Sequence, residues 1–293
     1  MRQSSSFRYF FALYFVVLVF CLALRVFLKL TAMNPNTGFY QEPGYFVLAF
    51  NVLLGGGLVL LYSVYLLRRV RQRADRDYPV MRESKVTAFF AMLCGISIAL
   101  YQLEVLEIFE AFDVPVFGEL VLLNTGVGLQ GFALMLSVIF GWFSAIVFIF
   151  IGARALFVNR GQLRGGALSL VAGIWVMIIL VASFNKYTTL TTISDSLLAV
   201  LFMVFASWFF VGHARTLGGF DRKDGRNYTI PTGLAASICG VLLVIPNWVW
   251  AAYHGTLTMP APLLGSFESV FVLATSVYAF LFVRHTCLGI RPV

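Results

Sequence analysis

The chain has 293 residues, of which 60% are hydrophobic and only 12% charged, with a mean hydropathy of +0.89. An ordinary soluble domain carries about 25% charged residues, so water is excluded as the main solvent. The net charge of +8 and pI near 9.5 belong to no basic run joined to a segment able to fold in water, which excludes a nucleic-acid-binding domain. At roughly 20 apolar residues per crossing, eight crossings and short connections use up the chain and leave no room for a soluble catalytic domain.

The first apolar run follows Arg2 and Arg8 and so has the basic leader of a secretory signal. It continues through Arg25 to Leu30, beyond the roughly 7 to 15 apolar residues of such a signal. No A-x-A site follows, which predicts an uncleaved first span. In all, helical spans are predicted over residues 9–30, 45–67, 86–103, 129–153, 167–184, 196–211, 231–250 and 265–283. Helices rather than barrel strands are expected, because a lipid-exposed backbone must satisfy its own hydrogen bonds and these runs lack alternation. The expected fold is a single all-α polytopic bundle over residues 1–293, with an even number of crossings and both termini on one side.

The polar gaps supply the orientation. Eighteen of the 21 lysines and arginines fall in alternate gaps, the largest group being Arg68, Arg69, Arg71, Arg73, Arg76, Arg82 and Lys85. Between spans, the opposite gaps hold Lys186 as their one basic residue, together with Glu42, Glu110, Asp113 and Glu119. By the positive-inside rule the basic gaps and both termini face the cytoplasm. Trp248, Trp250 and Tyr253 then mark the outer interface where the seventh span ends.

Polar residues within the spans come next in chain order. Arg25 and Lys29 lie one helical turn apart near the outer end of the first span. Each is either snorkelling to the headgroups or paired inside the protein. In the second span Asn51 precedes Gly55-Gly56-Gly57, which reads either as a helix break lining a solute site or as a close-packing surface. Glu104, Glu107 and Glu110 follow at threefold spacing at the C-terminal end of the third helix, where the helix dipole disfavours negative charge. These carboxylates read either as a solvated acidic helix end or as matched by a compensating group: Arg25, Lys29, Lys186 or a bound cation. Asp195 suits an N-cap of the sixth helix and Glu268 the first turn of the eighth. Asn247, after Pro246 in the seventh span, could add polar atoms to the same outer site.

Reaction chemistry is not evident. His213 and His285 fall near predicted span ends and His254 in an outer gap, so no intramembrane histidine pair is expected to hold haem or a metal. Gly126-Val127-Gly128-Leu129-Gln130-Gly131 matches a dinucleotide fingerprint in letters, but it opens a membrane span instead of following a strand. Cys21, Cys94, Cys239 and Cys287 have no paired spacing and read as packing residues. No enzyme activity, cofactor or metal is expected.

Three predicted helices share a small residue four before a glycine: Ala91 and Gly95, Ser169 and Gly173, Ala236 and Gly240. The fourth and sixth end alike, in Gly152-Ala153-Arg154 and His213-Ala214-Arg215. These patterns read either as a repeated helical hairpin or as the small-residue spacing common in bilayer helices. The first outer gap, Met33-Asn34-Pro35-Asn36-Thr37-Gly38-Phe39-Tyr40, resembles a "DPxTGFY"-like stretch of uncharacterised multi-pass membrane proteins of Clostridia and related Firmicutes, with Asn34 in place of the acid. The segment ending in Ala214-Arg215 is also similar to that group. The resemblance brings no activity and implies a bacterial plasma-membrane location.

Two functions are expected from these residues. One is a small-solute or ion carrier whose site lies in the outer half of the bundle, using Arg25, Lys29, Glu104, Glu107, Asn51 and Asn247. The other is a non-transporting scaffold or regulator that binds anionic lipid or an acidic protein through Arg68, Arg69, Arg71 and Arg73 in the basic loop 68–85.

Overall fold

In hydrocarbon a backbone N–H or C=O has no water to turn to, so long apolar runs close their hydrogen bonds internally. A computed structural model describes residues 5–33, 45–67, 84–111, 128–157, 166–187, 193–218, 222–254 and 267–288. Among the described residues an α-helix stands at each of the eight predicted positions: α1 (Ser5–Ala32), α2 (Tyr45–Leu66), α3 (Lys85–Ala111), α4 (Gly128–Phe157), α5 (Leu170–Tyr187), α6 (Ile193–Gly218), α7 (Arg222–Tyr253) and α8 (Phe267–Leu288). Seven of them are long and apolar enough to cross a membrane. The exception, α5, has 18 residues after a short 3-10 turn at Gly166–Ser169, and its apolar part is shorter than the others.

Several helices outrun the spans read from hydropathy. α6 continues to Gly218 and α7 already begins at Arg222, because polar residues near a bilayer boundary lower the local hydropathy without ending a helix. Asp195 accordingly falls in the first turn of α6, where negative charge suits the helix dipole. Glu268 occupies the first turn of α8 as read.

Helices α3 to α8 close into a ring, each beside the next and α8 returning to α3. Aromatic side chains fill its interior, among them Phe148, Trp175, Phe202, Phe209, Phe271 and Tyr278. The α1–α2 pair stands outside this ring, with α1 against α7 and Tyr14 stacked on Phe280 of α8 at 5.1 Å.

Because lipid is as apolar as the side chains, helices gain most where small residues let backbones meet. A Cβ on Gly95 of α3 would stand 2.7 Å from the Ile149 nitrogen and 2.8 Å from the Ala145 carbonyl oxygen of α4. A Cβ on Gly152 of α4 would stand 2.6 Å from the Met92 nitrogen and 2.7 Å from the Ala88 oxygen of α3. Each glycine is thus pressed against the backbone of the other helix. Gly173 faces Ser207 and Val211 of α6, and Gly240 faces Ser276 of α8. All three glycines of the shared pattern therefore face the second helix of their own hairpin.

The glycine run of α2 behaves differently. The helix continues through Gly55-Gly56-Gly57, so the helix break does not form: an unpaired backbone in hydrocarbon costs more than the roughly 1 kcal/mol of weakened propensity per glycine. Gly57 packs against Val17, whereas a Cβ on Gly55 or Gly56 would meet nothing within 4 Å.

Adding side chains at the two kinds of glycine should separate them. Gly95→Val or Gly152→Val would force backbones apart and lower the thermal midpoint in detergent, by the ~1 to 3 kcal/mol of an overpacked core or more. Gly56→Ala should leave the midpoint unchanged or raise it slightly. Equal effects at the three positions would contradict this packing.

Candidate functional site

Lys29 and Arg25 sit one turn apart on α1 near its C-terminal end, and both are enclosed by protein, with 1% and 0% of their surface exposed. Neither snorkels out of the bundle. The reason lies on α7. Pro246 has no N–H, so the carbonyl of Leu242 one turn earlier loses its intrahelical donor and the helix gains local polarity. Asn247 extends this: its Nδ2 donates to the Leu243 carbonyl at 2.7 Å, and its Oδ1 accepts a hydrogen bond from Lys29 Nζ. The Arg25 guanidinium carbon lies 5.0 Å from the centre of the Phe50 ring of α2, within the range of a cation–π contact. Arg25, Lys29 and Asn247 thus form a polar site at the junction of α1, α2 and α7.

Asn51 and Glu104 do not extend that site. Asn51 is exposed on the outer face of α2, and Glu104 projects from α3 toward α8. Its Oε2 accepts the backbone N–H of Glu268 at 3.3 Å. The helix continues about two turns past Glu104 to Ala111, and the group that meets this carboxylate is the N-terminus of another helix, whose free N–H groups and dipole favour negative charge. Glu268 itself lines a cavity of about 10 Å³ with Tyr101, Phe202 and Phe271, near the lower limit for one water molecule. The side chains of Glu107, Glu110, Lys186 and Asp195, and the loop bearing Arg68, Arg69, Arg71 and Arg73, lie outside the described residues.

A second polar assembly lies in the ring and was missed by hydropathy. His213 of α6 is fully buried. Its Nδ1 is 3.1 Å from Ser169 Oγ and its Nε2 is 2.5 Å from the Tyr278 hydroxyl. The imidazole is stacked 5.7 Å from Phe148 and lies 4.5 Å from Phe282. It ties the entry of α5, the end of α6 and the middle of α8 together inside an aromatic box. Ser169, read from its spacing as a small packing residue, is a hydrogen-bond partner here. Gln102 of α3, also fully buried, makes a similar bridge when its amide donates to the Ser137 carbonyl and accepts from the Trp175 indole, both at 3.3 Å. The sequence signal for Gln102 is its place inside the predicted span 86–103.

The three described cysteines are buried and free, and among the described residues no cluster of histidine, cysteine and acid side chains could hold a metal ion. The chemistry these residues offer at the α1–α7 junction is binding by charge and hydrogen bonds.

Tyr278→Phe should leave a buried imidazole nitrogen without its hydroxyl partner and destabilise the protein by ~1 to 3 kcal/mol. The thermal midpoint of the purified protein in detergent checks this, and a midpoint equal to that of the unsubstituted chain would contradict it. Compared with protein-family models, with curated proteins and with solved structures, the chain matches none, so the functional reading rests on its own geometry.

Proposed function

We propose that the protein is an integral membrane protein that crosses the bilayer eight times, with α5 as its shortest crossing and both termini on the cytoplasmic side. It binds, and serves to carry, a small anionic solute in the outer half of the bundle. The basic gaps retain Lys and Arg on the inner face, and the plasma membrane of a bacterium is the location this reading assigns.

The observation that carries the binding role is the enclosure of Arg25 and Lys29 one turn apart, with 0% and 1% of their surface exposed. Ionisable groups inside a membrane bundle are expensive and mark solute pathways by default. The two side chains bring positive charge and N–H donors to one place, and a small anion matches both through its oxygens or as a halide. Pro246 and Asn247 supply polar atoms to the site from within α7, which continues through them as a helix. Glu104 belongs to a separate position at the start of α8.

A thermal-shift titration of the purified protein tests the reading. Chloride, phosphate, sulfate and short carboxylates, supplied as salts of one cation, should include at least one that raises the midpoint saturably, by ~5 °C near a hundredfold excess over its Kd. Lys29→Met should abolish the rise, while Arg25→Lys, which keeps the charge, should retain part of it. A midpoint that responds to cations alone, or to none of these salts up to high millimolar concentration, would overturn the proposal.

A further inference from the structure

Trp248, Trp250 and Tyr253 share the last turns of α7 and differ in what surrounds them. Trp248 packs against the aromatic interior of the ring, and Tyr253 is 71% exposed. Trp250 is partly covered. Its indole nitrogen is buried, and among the described residues the N–H it carries has no hydrogen-bond partner. An indole is a donor only: when buried it ordinarily finds an acceptor, and in the headgroup belt it turns its N–H to the wet side. A donor closed off from both is an exception that calls for an acceptor from outside the chain.

The position of Trp250 says which acceptor. It is three residues beyond Asn247 on one continuous helix, about 4.5 Å further along the axis and roughly 60° round it. Asn247 accepts from Lys29, so the indole follows within one turn of the cationic site, toward the C-terminal end of α7. The helix is regular there, with the His254 N–H on the Trp250 carbonyl at 3.1 Å. The His254 ring lies 4.6 Å from the indole, a contact that holds the ring and gives its N–H no oxygen or nitrogen acceptor. Asn247 is engaged on both its oxygen and its nitrogen, whereas the indole N–H is uncommitted.

We propose that the Trp250 N–H is a binding donor of the site formed by Arg25, Lys29 and Asn247, and that the solute is an oxyanion, a carboxylate or phosphate, with one oxygen on the cationic pair and another on the indole. This assignment rests on the anion-binding role of Arg25 and Lys29 proposed above and narrows its ligand. The Lys29 to Asn247 bond and the indole mark two levels of the bundle, so an anion with separate oxygens meets both, whereas a halide is a single point. The guanidinium and ammonium bring charge. The indole brings direction without charge, and a ligand lacking the second oxygen leaves it unpaired, which is how a buried donor discriminates.

Titration of the full chain, isotope-labelled at its tryptophan nitrogens and held in lipid-free detergent micelles, tests the assignment by nuclear magnetic resonance. Of its five indole signals, the one absent from Trp250→Phe, or from Trp250→Tyr, belongs to Trp250. That signal should shift saturably with acetate or phosphate over the concentrations that raise the thermal midpoint, and stay in place with chloride. Trp250→Phe should keep the ligand-free midpoint, since it removes a donor without stranding an acceptor, and weaken oxyanion binding about tenfold. Trp250→Tyr, whose hydroxyl restores a donor, should recover part of that loss. A Trp250 signal unmoved while the midpoint rises, or an unchanged oxyanion affinity in Trp250→Phe, would overturn this assignment and leave the anion site standing. A signal moved equally by chloride would overturn the choice of an oxyanion, and one moved only by a short-chain phospholipid would overturn the solute in favour of a lipid headgroup. A midpoint raised by no anion would overturn the site and this assignment together.

Discussion

The fold depends on one constraint: inside a bilayer a polar atom must find its hydrogen-bond partner within the protein. Leaving one unsatisfied there costs several kcal/mol, because no water competes for it. The interior hydroxyls show the simplest response. Ser144, Thr216, Thr229 and Thr286 each donate to the carbonyl four residues earlier in their own helix. Less local groups reach across helices, as Tyr14 does to Ser237 at 2.9 Å and Tyr65 to Asn227 at 3.1 Å. His213 uses both ring nitrogens. Glu104 extends the rule to charge, answering the start of another helix instead of a side-chain cation.

That constraint selects which contacts can be specific. Apolar side chains pack equally well against lipid and against one another, so shape and close approach have to hold the ring together. The reciprocal Gly95 and Gly152 contacts join α3 to α4 backbone to backbone, and corresponding glycines on α5 and α7 face α6 and α8. Inside the ring the polar bridges at Gln102 and His213 fix which helices meet at which depth. Outside it, α1 is held through Tyr14, Phe280 and the Lys29 to Asn247 bond, and α2 through Phe50, Gly57 and the Tyr65 to Asn227 bond.

Much of this was legible in the sequence because lipid is a simple solvent. Long apolar runs have one structural outcome, and each of the eight produced a helix. Pairings were much less legible. Charge spacing leaves Glu104 either solvated or beside a cation, whereas the start of another helix meets it and leaves no charged residue to read. Hydropathy records the polarity of Asn51 without its direction, and α2 turns it outward. The apolar run ends near residue 211 and leaves His213 outside it, whereas α6 continues to Gly218 and carries the imidazole into the core. The glycine run allowed two readings, and the cost of an open backbone in hydrocarbon decided against the break. Arg25 and Lys29 were recognisable from charge alone, but only the position of α7 shows that Asn247 is the partner of Lys29.

The account as a whole requires that the helices cross a membrane with the basic gaps on the inner face, since the energetics of every interior pair assume hydrocarbon around it. Labelling intact cells with a membrane-impermeant thiol reagent tests this most directly. A cysteine in place of Asn36, between α1 and α2, should react from outside, and one in place of Ala74, between α2 and α3, should react only after the cells are opened. Reaction of the Ala74→Cys chain in intact cells, or protection of Asn36→Cys until permeabilisation, would contradict the account.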